Sequence, residues 1–84
     1  MVNVYLFIEL LRAANAADVA GQLKTLDLGE CKFANVVVLA EDKLVAQLDC
    51  ESNTAANTAI LEKISPIEGI VQTNIIAAVR PVHK

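Results

Sequence analysis

The chain contains no tryptophan, one tyrosine and one histidine, and phenylalanine occurs only at Phe7 and Phe33. Aromatics make up 4% of the residues while hydrophobic residues make up 55%, so its apolar surface is nearly all Val, Ile, Leu and Ala. Base catalysis has little material to work with. His83 follows Pro81 near the end of the sequence, where a frayed tail is expected rather than a general base. Without a second histidine, Ser–His and Cys–His nucleophile systems lack their proton acceptor. Basic residues are also few, 7 Lys and Arg against 10 Asp and Glu, so no cationic stripe is present to track a nucleic-acid backbone. No apolar run exceeds the segment Val36 to Ala40, far short of what crosses a bilayer. The opening Met1-Val-Asn-Val-Tyr5 lacks the positive region of a secretory leader, so the expected setting is cytoplasmic, with no membrane partner.

What is present is a short, aliphatic chain. Residues 1–84 suffice for one domain with a thin core. Their mean hydropathy of +0.47 is more than one such core easily hides. Self-association is the natural expectation.

The hydrophobic pattern divides the chain into six elements. Val2 to Glu9 alternates, with Val2, Val4, Leu6 and Ile8 on one face, which predicts a strand. After a connector at Leu10 to Ala14, Asn15 reads as a helix cap with Asp18 at the third helical position. Val19, Leu23 and Leu26 follow at helical spacing, and Asp27-Leu28-Gly29 ends the helix. Cys31 to Leu39 predicts a strand apolar on both faces, and Glu41-Asp42 a tight turn. Lys43 to Cys50 predicts a third strand, with Leu44, Ala46, Leu48 and Cys50 inward. Ser52 or Asn53 caps a second helix with the stripe Ala56, Ile60 and Ile64, and Pro66 stops it. Glu68-Gly69 is a turn that needs positive φ at the glycine, Ile70 to Val79 the last strand, and Pro81 the close.

That order predicts an α+β, ferredoxin-like βαββαβ sandwich: a four-stranded antiparallel sheet with two helices on one face. The first and third strands then lie in the centre. Cys31, Phe33, Val37, Leu39, Leu44, Ala46 and Leu48 are expected beneath the helices. The opposite, open face would carry Ala34, Val36, Val38 and Val45 with Tyr5 and Phe7, an apolar patch of the kind that marks an oligomer interface. In a hairpin without bulges Ala40 faces Lys43 and Phe33 faces Cys50, which leaves Cys31 on a diagonal from Cys50. That diagonal is usually too long for a disulfide, so free buried thiols are expected.

The chemistry-bearing signatures of such a fold are absent. The third strand lacks the stacking aromatics of an RNA-recognition motif, and the first connector lacks the CxxC of a metallochaperone. Arg12 stands where an acylphosphatase holds its anion-binding arginine, but no glycine shapes the loop. Glu41, Asp42, Asp49 and Glu51 read as solvated turn charges rather than a metal site. No catalytic residue, metal or cofactor is expected.

Two resemblances bear on function. Ile60 to Val79 resembles the end of the RAM domain, the effector-binding domain of the leucine-responsive regulatory (Lrp/AsnC) family. There a helix runs into an (I/L)-x-G-(V/I)-x-x-T turn and a strand, and Ile67, Gly69, Ile70 and Thr73 occupy those positions. The resemblance implies a transcription-regulating domain whose sheets pack face to face as dimers that assemble further. It also implies amino acids or similar metabolites bound between dimers, with Glu41 and Asp42 holding an ammonium group and Thr73 and Asn74 a carboxylate. The partners implied are a second copy, a small metabolite and a full-length regulator of the family. The family's helix-turn-helix is missing, which implies a stand-alone domain that does not itself grip DNA. Lys43 stands where the family's hairpin favours an acidic residue. The hairpin, Ala40 to Asp49, with Ile67-Glu-Gly-Ile70, is also similar to the NapD-type chaperones of periplasmic nitrate reductase. Those bind a twin-arginine signal peptide in the cytoplasm. Thr73-Asn74 favours the RAM reading, and the chaperones' Tyr-His ending is absent.

Overall fold

The computed structural model describes residues 1–79, so the readings at Pro81 and His83 lie outside it. β1 (Val2–Leu10) alternates between buried and half-buried residues along its whole length, as its sequence alternates. β3 (Lys43–Cys50) does the same, with Leu44, Ala46 and Leu48 fully buried. Between them in sequence lie α1 (Ala16–Lys24) and β2 (Cys31–Ala40). After β3 come α2 (Asn53–Ala59), a π-helical turn (Ile60–Ile64) and β4 (Ile70–Val79).

Local chemistry sets the helix ends. Asn15 Oδ1 accepts hydrogen bonds from the Ala17 and Asp18 amides at 2.9 and 3.3 Å, which satisfies two of the free donors at the start of α1. The helix stops at Lys24, before Leu26, because Thr25 folds back to the Gln22 carbonyl through both its amide and its hydroxyl. Leu26 still packs on the core from beyond the helix. Gly29 takes φ +71° and donates its N–H to Asp27 Oδ1 at 2.9 Å. Of the two proposed caps for α2 it is Ser52 that serves, its Oγ accepting the Ala55 amide at 3.1 Å. The π turn closes with the Ser65 N–H bonded to the Ile60 carbonyl at 2.8 Å, a spacing the apolar stripe does not reveal. Gly69 takes φ +96°, as its turn requires.

The sheet order is β2-β3-β1-β4 with antiparallel neighbours, so β1 and β3 are central and β2 and β4 are edges. Val19, Leu23, Ala56, Ile60 and Ile64 from the helical side join Val4, Leu6, Ile8, Leu44 and Leu48 in one core. Both helices therefore cover the same face. Among the described residues no polar or charged side chain is buried. This is an α+β architecture compatible with the ferredoxin-like plan.

The edge strand β2 departs from expectation. Ala40 faces Lys43 across the Glu41-Asp42 turn as predicted, but the ladder then shifts twice, leaving Leu39 and Ala34 without partners. Each β-bulge inserts one residue and so inverts the face of everything beyond it. Val38 and Val36 consequently pair with the buried Leu44 and Ala46 on the helix side, and Val37 pairs with Val45 on the open side. The sequence reading placed these three valines on the opposite faces, because it counted a ladder without bulges. The same double shift puts Cys31 directly opposite Cys50, with Cα atoms 4.1 Å apart, and the two form a disulfide. Free thiols were expected, and the bulges are the reason that expectation fails. The Glu51 amide bonds to the Glu30 carbonyl at 3.1 Å just outside the pair. Cys31–Cys50 is thus a non-hydrogen-bonded pair, where side chains approach most closely.

Candidate interaction face and ligand residues

The open face of the sheet is built of four rows running across the strands. Ala40, Lys43, Glu9 and Gln72 form the row at the hairpin end, followed by Val37, Val45, Phe7 and Asn74. Asn35, Gln47, Tyr5 and Ala77 come next, and Lys32, Asp49, Asn3 and Val79 form the last. Tyr5, Phe7 and Val45 lie on this face as the alternation predicts, and Val37 takes the place foreseen for Val36 and Val38. Ala34 is a bulge residue and belongs to no row. The two central rows mix Val37, Val45, Phe7, Tyr5 and Ala77 with the amides Asn35, Gln47 and Asn74, and the rows at both ends are charged. Lys43 stands beside Glu9 and Lys32 beside Asp49, so each terminal row carries one cation next to one anion.

Both edges of the sheet also carry exposed aliphatic residues. β4 carries two bulges, at Val71 and Ile76, where its ladder to β1 shifts. Val71, Ile75, Ile76 and Val79 on β4, with Val37, Val38 and Leu39 on β2, each leave 45 to 60% of their surface in water. They are divided between the two opposite edges of the sheet and between its two faces, so they do not form one contiguous patch.

The four ligand residues suggested by the sequence do not converge within one protomer. Glu41 and Asp42 line a cleft of about 470 Å³ with Arg12, and Asp42 Oδ1 meets Lys43 Nζ at 3.3 Å. The Asp42 carbonyl accepts the Leu10 amide at 2.8 Å and holds the hairpin against the end of β1. Thr73 faces the helix side, where its hydroxyl lies 3.3 Å from that of Ser65. Asn74 faces the open side and accepts from Gln72 Nε2 at 3.4 Å. Successive residues of a strand point to opposite faces, so one ligand approaching one face meets only one of this pair.

A groove of about 350 Å³ between the α1–β2 loop and α2 was not foreseen. It is walled by Leu28, Gly29 and Glu30 on one side and by Ser52, Ala55 and Thr58 on the other. The small residues at helical spacing were its only sequence signal. No group of three or more His, Cys, Asp or Glu residues suited to a metal occurs among the described residues. No helix there is long and apolar enough to cross a membrane. No protein-family model, curated protein or solved structure matches the chain.

Proposed function

We propose that the chain is a non-catalytic, homo-oligomeric regulatory domain of the RAM kind, working in the cytoplasm by binding copies of itself and a small metabolite. The observation that carries this reading is the open face: Val37, Val45, Phe7, Tyr5 and Ala77 in the central rows beside Asn35, Gln47 and Asn74, with one cation and one anion in each end row. Interfaces between copies likewise combine aliphatic and aromatic residues with hydrogen-bonding side chains at the centre and charges at the rim. Because Thr73 and Asn74 face opposite sides of β4, an amino-acid site of the RAM kind would need residues from more than one copy. The partner that completes such a site is a second copy or a full-length regulator carrying the same domain.

Light scattering at micromolar concentration should give at least twice the 9.0 kDa chain mass. Val45→Lys puts a charge at the centre of the face and should leave monomers, because an unpaired buried charge is strongly unfavourable. Thermal shift against the twenty amino acids tests the ligand, since a compound at 100 times its Kd raises stability by about 2.7 kcal/mol. Stabilisation by a twin-arginine peptide alone would replace this reading with the chaperone one. A monomeric wild type would end the oligomeric reading.

A further inference from the structure

We propose that Cys31 and Cys50 form a thiol-exchange site that sets the register of β2 and thereby regulates which aliphatic residues the open face presents. The bond and the register are coupled by geometry. A ladder running without bulges from Ala40–Lys43 would place Phe33 opposite Cys50 and Cys31 beyond the end of β3. The sulfurs meet only because Leu39 and Ala34 have both been extruded as bulges. The covalent bond in turn holds both bulges in place.

Little else in β2 fixes its register. A strand register is strongly specified when one face is apolar and the other polar, and weakly when both are alike. Val36, Val37, Val38 and Leu39 are four consecutive aliphatic residues, so a one-residue slip exchanges one for another on either face. Asn35 is the exception, since in the bulge-free ladder it leaves the open face and comes opposite the buried Leu48. Every residue from Lys43 to Cys50 has a β2 partner in either register, so the slip keeps the number of pairs, frees Cys31 and Lys32, and removes the two bulges. In the bulge-free register Val38 faces Val45 and Val36 faces Gln47. Both valines then join the open face, while Val37 and Asn35 leave it, and the central rows become wholly aliphatic on β2.

The reaction balances as ordinary thiol–disulfide exchange. A dithiol reductant attacks one sulfur, its second thiolate releases the mixed disulfide, and two electrons and two protons pass to Cys31 and Cys50. Both sulfurs are buried, but Cys31 is the first residue of an edge strand. Local opening of that strand end, which breaks the bond from the Glu51 N–H to the Glu30 carbonyl, is what admits the reductant. In a reducing compartment a bond of this type is transient and sensing rather than permanent.

This inference rests on the open face being the self-association surface, and two readouts keep the two ideas apart. Cross-strand backbone Overhauser contacts measure register alone, on monomer or oligomer. Oxidised protein should show Val38 against Leu44, and protein reduced with dithiothreitol, or the Cys31→Ala/Cys50→Ala variant, should show Val38 against Val45. Retention of the Val38–Leu44 contact after complete reduction overturns the proposal. Sedimentation then reads the consequence, a dimer roughly tenfold tighter when reduced, as expected for burying additional valine surface. Val37→Lys should disrupt the oxidised dimer and Val38→Lys, at a position half exposed on the helix side when oxidised, the reduced one. The same lysine variant disrupting both states would also overturn the proposal. If neither state associates while the register still changes, the oligomeric reading falls and the exchange site stands.

Discussion

Replacing both cysteines by alanine removes the covalent cross-link between the far ends of β2 and β3, and its cost can be worked from the loop that the bond closes. Cys31 and Cys50 are separated by 19 residues, and the chain-entropy relation assigns a cross-link of that span about 3 kcal/mol at 25 °C. For a chain of this length global stability is on the order of 4–13 kcal/mol, so the variant should remain folded but with much of its margin gone. In a melt, the same loss lowers Tm by roughly 12–24 °C for a domain of this size. Slippage of β2 into the bulge-free register recovers part of this, so the lower end of the range is the sharper expectation. The assay is a pair of urea and thermal melts with and without a phosphine reductant, with alkylation and mass spectrometry to establish the thiol state. Either single alanine variant should lose nearly the whole effect and the second substitution should add little, because the two side chains act through one bond. Additive single losses, or a reductant shift below about 4 °C in protein shown to be oxidised, would refute the reasoning.

Three further substitutions test other parts of the fold by denaturant melts. Gly69→Val adds a Cβ about 3.0 Å from that of Ala14 at a φ of +96°, and should cost on the order of 1–3 kcal/mol; an unchanged midpoint would mean the turn is built otherwise. Asn15→Ala removes the acceptor for two amides at the start of α1 and should cost about 1 kcal/mol, whereas Asn15→Asp should retain most of it. Leu48→Ala empties a fully buried position beneath the helices and should cost about 2–5 kcal/mol; a loss below 1 kcal/mol would place Leu48 outside the core.

The central strands were legible because their sequences alternate. Val2 to Ile8 and Leu44 to Cys50 put every second residue in the core, and nothing competes with that reading. The turn at Glu41-Asp42 and the caps at Asn15 and Ser52 were legible for equally local reasons. β2 was not, because a run of four aliphatic residues carries no period and two extruded residues leave no mark in composition. The disulfide was lost with it, since its geometry depends on those bulges. The ligand residues failed to converge for a different reason. Thr73 and Asn74 are neighbours in sequence, and in a strand that places them on opposite faces. The groove beside α2 arises from small residues, Ala55 and Thr58, whose effect is the space they leave.

Both edges of the sheet carry bulges, at Ala34 and Leu39 on one side and at Val71 and Ile76 on the other. Pairing of like edges closes at a dimer only if the other edge does not pair as well; a chain whose two edges both pair grows without a natural end. A strand kinked twice in ten residues is a poor template for a straight neighbour. Face-to-face contact, by contrast, consumes the face it uses and stops at a finite particle. In the disulfide-bonded register, a chain this rich in Val and Ile is therefore steered away from open-ended growth by four residues that belong to no ladder.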